Sequence, residues 1–307
     1  MSVHNISQIL SRNISLLKST NPLFINLAAD AFITEFITSY PTASLTCFNT
    51  NFQQFEQHQK NNQYQSYFDS VYTKSDKQKE PHDLVVIQYP KAKAELSFTL
   101  AMLEASITVN TAIIIVGEKN SGINSSKKAL DNFLMHYQKQ DSARHCMIFS
   151  GSYKEQPLFN VDEWFSFYDV NVANNVIKVA ALPGVFSQKK LDVGTKVLLE
   201  NLPEISPKAL LDFGCGAGVI ACVIGALYKN CKLTLVDVSA LALASATKTL
   251  KLNNLAGNIT ASDSLSHIKG SFDTVITNPP FHQGLKTNYQ ATESFLAGIS
   301  KQITANG

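Results

Sequence analysis

Short apolar runs of strand length, separated by stretches with helical spacing, recur along this chain from residue 23 onward. In the first half the runs are residues 23–27, 43–48, 83–89, 112–116 and 146–149. Between them, residues 28–39 space apolar side chains helically through Phe32, Phe36 and Ile37, and residues 92–109 and 125–137 also read as helices. Residues 49–64, rich in Gln and Asn, read as a polar helix and its loop. Strands alternating with helices predict βαβ units and a mostly parallel sheet.

The second half opens irregularly over residues 157–183, with the only tryptophan, Trp164. The apolar positions Val170, Val172, Val176, Ile177 and Val179 suit a β-hairpin or an extended arm there. A helix through Leu199 follows Leu191-Asp192-Val193-Gly194-Thr195. Strands are then expected over residues 209–213, 232–236, 259–261 and 272–277, and helices over 219–228, 240–252 and 292–304.

The halves resemble each other. His82-Asp83-Leu84-Val85-Val86-Ile87-Gln88-Tyr89-Pro90 lies over Phe272-Asp273-Thr274-Val275-Ile276-Thr277-Asn278-Pro279-Pro280, and Ser44-Leu45-Thr46-Cys47-Phe48-Asn49 over Lys232-Leu233-Thr234-Leu235-Val236-Asp237. An internal duplication follows, with domains expected at 1–155 and 156–307. Where the second copy has Asp212-Phe213-Gly214-Cys215-Gly216-Ala217-Gly218, the first has Asn26-Leu27-Ala28-Ala29-Asp30, without a glycine to admit a ligand to the backbone.

Composition narrows the class. A net charge of +2 over 307 residues, balanced in both halves, excludes a basic nucleic-acid module, so any such contact must come from a local patch. Five cysteines without a C-x-x-C pair argue against a disulfide framework and a zinc site, so no metal is expected. Apolar runs such as residues 112–116 are far below a membrane span; no membrane partner is expected, and the location is expected to be cytoplasmic.

Two motifs carry chemistry. The run Phe272-Asp273-Thr274-Val275-Ile276-Thr277 ends in Asn278-Pro279-Pro280-Phe281. The two prolines hold the backbone extended. The Asn278 side-chain oxygen and the Pro279 carbonyl can then accept from one exocyclic amine, while Phe281 stacks on the ring that bears it. Such an amine is a poor nucleophile because its lone pair is conjugated, and two fixed acceptors turn that lone pair toward an electrophile. His282, next in the chain, is read as supporting the substrate loop, since this amine needs no strong base.

The second motif, Asp212-x-Gly214-x-Gly216-x-Gly218, follows a strand and precedes a helix. Asp237 ends the next strand, placed to accept from ribose hydroxyls, and Asp263, at the end of the third, could meet an adenine amine. An acid two residues before the first glycine would repel a pyrophosphate but suits the ammonium of S-adenosylmethionine. Methyl transfer is therefore favoured over hydride transfer. Cys215, inside the loop, is read as a small filler.

With these residues the chain resembles the bacterial ribosomal RNA small-subunit methyltransferase C group, which methylates the N2 amine of a guanosine in 16S rRNA. Besides the two motifs, the resemblance rests on Leu182-Pro183-Gly184-Val185-Phe186-Ser187, Leu191-Asp192-Val193-Gly194-Thr195 and Asp237-Val238-Ser239 in the second half. In the first half it rests on Tyr89-Pro90-Lys91-Ala92-Lys93, Val116-Gly117-Glu118-Lys119-Asn120-Ser121-Gly122 and Asp141-Ser142-Ala143-Arg144. It implies an α/β fold of two tandem Rossmann-like (class I methyltransferase) domains, of which only the C-terminal one binds S-adenosyl-L-methionine. By the same resemblance, Asp212, Gly214, Cys215, Gly216, Gly218, Asp237 and Asp263 hold the cofactor. Asn278, Pro279 and Phe281 hold a flipped guanine.

The implied partner is 16S rRNA or the 30S subunit, met by a monomer, with Lys91, Lys93, Lys119, Lys127, Lys128 and Arg144 as candidate phosphate contacts. A sheet of this family continues past the helix expected at 292–304, so the C-terminal domain is expected to be cut short after its fourth strand and following helix, with an apolar edge exposed. The alternatives are an adenine-N6 or protein-glutamine methyltransferase, and a non-catalytic RNA-binding assembly factor.

Overall fold

The computed structural model describes residues 4–73, 80–203, 205–265, 267–278, 298–299 and 302–304. The chain divides into two compact units, Met1–Trp164 and Phe165–Gly307. The boundary falls nine residues later than expected, because Phe159 and Trp164 stand edge-on to the buried ring of Phe98, at 5.6 and 5.5 Å between centroids.

The first unit runs α1 (Asn5–Arg12), β1 (Pro22–Ile25), α2 (Ala31–Ser39), β2 (Thr46–Asn49), α3 (Phe52–His58), β3 (Gln65–Phe68), β4 (His82–Gln88), α4 (Lys93–Ala101), β5 (Ile107–Glu118), α5 (Lys127–Leu130), β6 (Leu134–Ala143) and β7 (Cys146–Tyr153). Its seven strands lie in the order β3-β2-β1-β4-β5-β7-β6, parallel from β3 to β5 and antiparallel at β7 and β6. Alternation of strand and helix is what the apolar spacing predicts.

Three elements differ from expectation. β3 lay hidden because it is a four-residue, half-exposed strand at the sheet margin, Gln-Ser-Tyr-Phe, too short to show a two-residue alternation. The helix expected over 92–109 ends at Ala101, and Ile107 already belongs to β5. The helix expected over 125–137 is one turn, α5, after which β6 pairs with β7; two register shifts in that ladder blur the two-residue alternation that would have marked a strand.

The second unit begins with the hairpin β8 (Ser166–Val172) and β9 (Asn175–Ala181), followed by α6 (Val193–Glu200), β10 (Ala209–Phe213), α7 (Val219–Leu227), β11 (Lys232–Asp237), α8 (Ala240–Leu252), β12 (Gly257–Ala261) and β13 (Thr274–Thr277). Its parallel sheet has the order β12-β11-β10-β13. The helix expected through Thr304 does not reach it: Ile303 forms a parallel bridge with Phe272, whose N–H and C=O bond to Gln302 and Thr304. Among the described residues this bridge lies two residues before β13, which itself remains the margin of the sheet.

A polar stripe on α8 ties the hairpin down. Ser245 Oγ accepts from Leu182 N at 3.0 Å, Thr249 Oγ1 bridges the N–H and C=O of Ala180, and Asn253 bridges those of Lys178. Four residues of helix rise about 6 Å, close to the rise of two strand residues, so the side chains step along β9 as a neighbouring strand would. This fixes the start of the segment that leads to Asp192.

The two sheets repeat one register. Leu23, Phe24 and Ile25 pair with Thr46, Cys47 and Phe48 on one side and Val85, Val86 and Ile87 on the other. Leu211, Asp212 and Phe213 pair with Thr234, Leu235 and Val236, and with Val275, Ile276 and Thr277. Both sequence overlays hold residue for residue in these strands. They also move the equivalence of Asp212 from Asn26 to Phe24, a fully buried ring 4.9 Å from that of Phe36. An aromatic core stands in the first unit where the second has a buried carboxylate.

Candidate functional site

Open parallel sheets bind ligands beyond the carboxyl ends of their strands, where the winding reverses. In the second unit that point lies between β10 and β13: the chain leaves β10 toward β11 and β12 on one side and returns to β13 on the other. Phe213 and Thr277 are register partners, so Gly214 and Asn278 open adjacent loops. Thr277 Oγ1 also donates to the Phe213 carbonyl.

Gly214, Gly216 and Gly218 have φ of +71°, +53° and +75°, the left-handed region in which a side chain is strained. A Cβ on Gly214 or Gly216 would meet nothing within 4 Å, so both border open space. One on Gly218 would lie 3.1 Å from Ala246 and Leu235, so that glycine serves close approach of α8 and β11 to the loop. The loop's N–H groups are turned inward: those of Gly214 and Cys215 both donate to Val236 O at 2.8 and 2.9 Å, that of Gly216 to Asp237 Oδ2 at 2.9 Å, and that of Gly218 to Cys215 O at 2.8 Å. Amides spent in this way do not form the cradle a pyrophosphate requires.

Asp212 is fully buried. Its Oδ2 accepts from Ala221 N in the first turn of α7 at 3.1 Å, while Oδ1 has no hydrogen-bond partner among the described residues. Burial pushes its pKa up to about 7, the Ala221 bond opposes this, and the Asp237 charge adds to it. A buried carboxylate oxygen without a donor is a costly arrangement that a cationic or N–H-bearing ligand relieves.

Asp237, half-buried, accepts from Gly216 N on one oxygen and Ser239 N on the other, both at 2.9 Å. Burial raises its pKa, and these bonds with that from Val238 hold it down. Each oxygen keeps acceptor capacity for a ligand hydroxyl. Asp263 is exposed two residues past the end of β12, while the intervening Ser262 donates its N–H to Asp237 O at 3.1 Å. Cys215 is buried, and desolvation raises its thiol well above the ordinary range, so it is a neutral filler and no nucleophile. These residues meet at one sheet edge.

Asn278 is half-buried at the end of β13. Its Nδ2 donates to Thr195 Oγ1 at 2.9 Å and to Asp192 Oδ2 at 3.2 Å. Asp192 is the N-cap of α6, accepting from Thr195 N at 2.9 Å; this bond, and those from Asn278, Gly194 and the Thr195 hydroxyl, outweigh burial and lower its pKa. Pro279, Phe281, Pro280 and His282 lie outside the described residues. The sequence reading did not select Asp192 and Thr195 as site residues, although an Asp three residues before a Thr, entering a helix, is a capping signal. That cap gave no hint of a side-chain partner 86 residues away.

A sheet edge that carries the carboxylates of Asp212 and Asp237, two glycines facing open space and an amide opening the neighbouring loop suits a ligand rich in N–H and O–H donors. It can hold a nucleoside that carries an amino-acid cation, next to a group that offers an amine.

Known proteins bear on this arrangement. Residues 7–168 match the family described as methyltransferase small domain N-terminal, and residues 176–307 match the methyltransferase small domain. The chain is 47% identical to the ribosomal RNA small subunit methyltransferase C of Colwellia psychrerythraea, with 100% of this chain and 88% of that protein covered. It is 40% identical to the protein of the same description from Aliivibrio fischeri, with the same coverage. Among solved structures, a T. thermophilus 16S rRNA N2 methyltransferase in complex with AdoMet and guanosine superposes with a TM-score of 0.80 at 18% identity, covering 98% of this chain and 81% of that one. That likeness is one of fold: a class I methyltransferase domain preceded by a related N-terminal domain.

Proposed function

Since this chain belongs to the ribosomal RNA small subunit methyltransferase C family, we propose that it methylates the exocyclic N2 amine of a guanosine in 16S rRNA, with S-adenosylmethionine as donor. The observation that carries the reading at the level of chemistry is the adjacency of the Asn278 amide and the glycine loop at the β10/β13 reversal.

S-adenosylmethionine, when bound, supplies a methyl group on a cationic sulfur. The orphaned Oδ1 of Asp212 suits its ammonium or another N–H donor, and Asp237 suits the ribose hydroxyls. Gly214 and Gly216 leave room at the backbone. Asn278 Oδ1 accepts from the guanine amine, turning the nitrogen lone pair out of conjugation with the ring. As positive charge develops on that nitrogen, the same acceptor stabilises it, and the excess proton is afterwards lost to water or a nearby acceptor. Pro279 supplies the second acceptor and Phe281 the stacking face in this reading. Asp263 would accept from the adenine amine of the cofactor.

The first unit has Phe24 where the second has Asp212, and it is assigned to support and RNA contact. Lys91 and Lys93 follow β4, Lys119 follows β5, Lys127 and Lys128 lie on α5, and Arg144 is in the turn before β7; all are exposed. The strand ends gather Lys91, Lys119 and Arg144 on one edge, where they suit phosphates. We assign a cytoplasmic monomer acting on 16S rRNA or the 30S subunit; among the described residues no helix is long and apolar enough to cross a membrane.

The test is transfer of tritiated methyl groups to 16S RNA and to 30S subunits, followed by nucleoside analysis. N2-methylguanosine is the expected product. Label in another nucleoside, or none with a protein that binds the cofactor, would overturn the assignment.

A further inference from the structure

An asparagine side chain can present either its oxygen or its nitrogen to a substrate, and only the oxygen can accept from an amine. In this chain the choice is made by α6. Asp192, whose pKa is lowered by the bonds of its capping turn, is an acceptor at neutral pH. An oxygen of Asn278 turned toward it would meet a carboxylate, so the nitrogen must face it. Thr195 Oγ1, buried one helical turn on, takes the other N–H at 2.9 Å. Both N–H groups are committed, and among the described residues no donor is bonded to Oδ1.

Gly194 belongs to the same device. A Cβ there would lie 3.5 Å from both Asn278 Oδ1 and Nδ2, and 2.9 Å from Asp192 Oδ2, so a larger residue would press on the side chains whose distance sets the contact.

We propose that Asp192 and Thr195 are positioning residues, which lock the Asn278 amide with its nitrogen toward α6 and its oxygen free for the substrate amine. The proposal deepens the methyltransferase reading and rests on it for the role of Oδ1. It accounts for a capping aspartate that also reaches Asn278 across 86 residues of sequence. A lock of this kind costs nothing at the moment of reaction, because the amide is oriented before substrate arrives.

The test uses the full chain and three variants. Asp192→Ser keeps a capping oxygen for α6 but is too short to hold Asn278. Asp192→Asn keeps a carbonyl oxygen at the same reach, and Thr195→Val removes the second acceptor. Expected for Asp192→Ser is a kcat at least about tenfold lower, with KM for S-adenosylmethionine within about twofold. Asp192→Asn should recover most of that loss, and Thr195→Val should fall between.

The side-chain amide protons of Asn278, followed by nitrogen-15 NMR without substrate, should be protected from exchange in the wild type and lose protection in Asp192→Ser. Equal protection in the two proteins would overturn the lock, as would equal kcat. A wild type that shows the protected amide but does not methylate guanosine would sink the functional assignment and leave the lock standing.

Discussion

The hydroxyl of Thr277 donates to the carbonyl of Phe213 at 2.7 Å, tying the last residue of the strand that carries Asn278 to the last residue before the glycine loop. The loop that opens at Asn278 and the glycine loop thus depart from two strand ends fixed by a side-chain bond as well as by the ladder. Thr277→Val removes that bond while keeping the shape. A loss of about 1 kcal/mol in denaturant unfolding is expected, together with a several-fold fall in kcat as the spacing loosens.

Asn278→Ala should abolish turnover while cofactor affinity, measured by calorimetry, stays within a few fold. Among the described residues it makes no bond to the glycine loop, and its partners Asp192 and Thr195 are the cap and the first turn of α6. Equal loss of binding and turnover would make it a structural residue.

The pH dependence of stability should carry the mark of Asp212. Its carboxyl, near pKa 4 when unfolded, is pushed up to about 7 by burial in the fold. Between those values the folded chain holds a proton that the unfolded chain has released, so this group makes stability fall as pH rises from about 4 to about 7. In Asp212→Asn that slope is removed. Relative to wild type without cofactor, the variant should gain on the order of a few kcal/mol across the window. Denaturant unfolding curves recorded at intervals from about pH 5 to about pH 8 check this, and parallel slopes for the two proteins would contradict it.

Two glycines of one loop should respond differently. Gly218→Ala brings a Cβ to 3.1 Å from Ala246 and Leu235 at φ +75°, and should cost about 2–3 kcal/mol of stability. Gly214→Ala, at φ +71° with nothing within 4 Å, should cost about 1 kcal/mol but weaken cofactor binding at least about tenfold by filling the space the ligand takes. Melting curves and calorimetry on both variants separate the effects.

Thr249→Val tests the polar stripe of α8. The residue is fully buried, and its hydroxyl serves both the N–H and the C=O of Ala180. With both groups left without that partner, destabilisation of about 2–4 kcal/mol is expected in denaturant unfolding, more than a surface threonine would show.

The strand-and-helix order of both units, the hairpin and the duplication were legible from residue order alone, because buried parallel strands and amphipathic helices write their periods locally. That the glycine loop and Asn278 stand at strand ends was legible, because each follows directly on an apolar run of strand length. The short α5, the paired β6 and the edge strand β3 were not, since a bulged ladder and a four-residue strand leave no period to read. Nor could sequence give Phe24 the register position in the first sheet that Asp212 holds in the second, which depends on the pairing of neighbouring strands. Above all, only the tertiary structure brings Asp192 to Asn278: the amide's orientation is decided by a helix cap 86 residues earlier, and a hydrogen bond between distant segments exists only once the sheet has set where each of them ends.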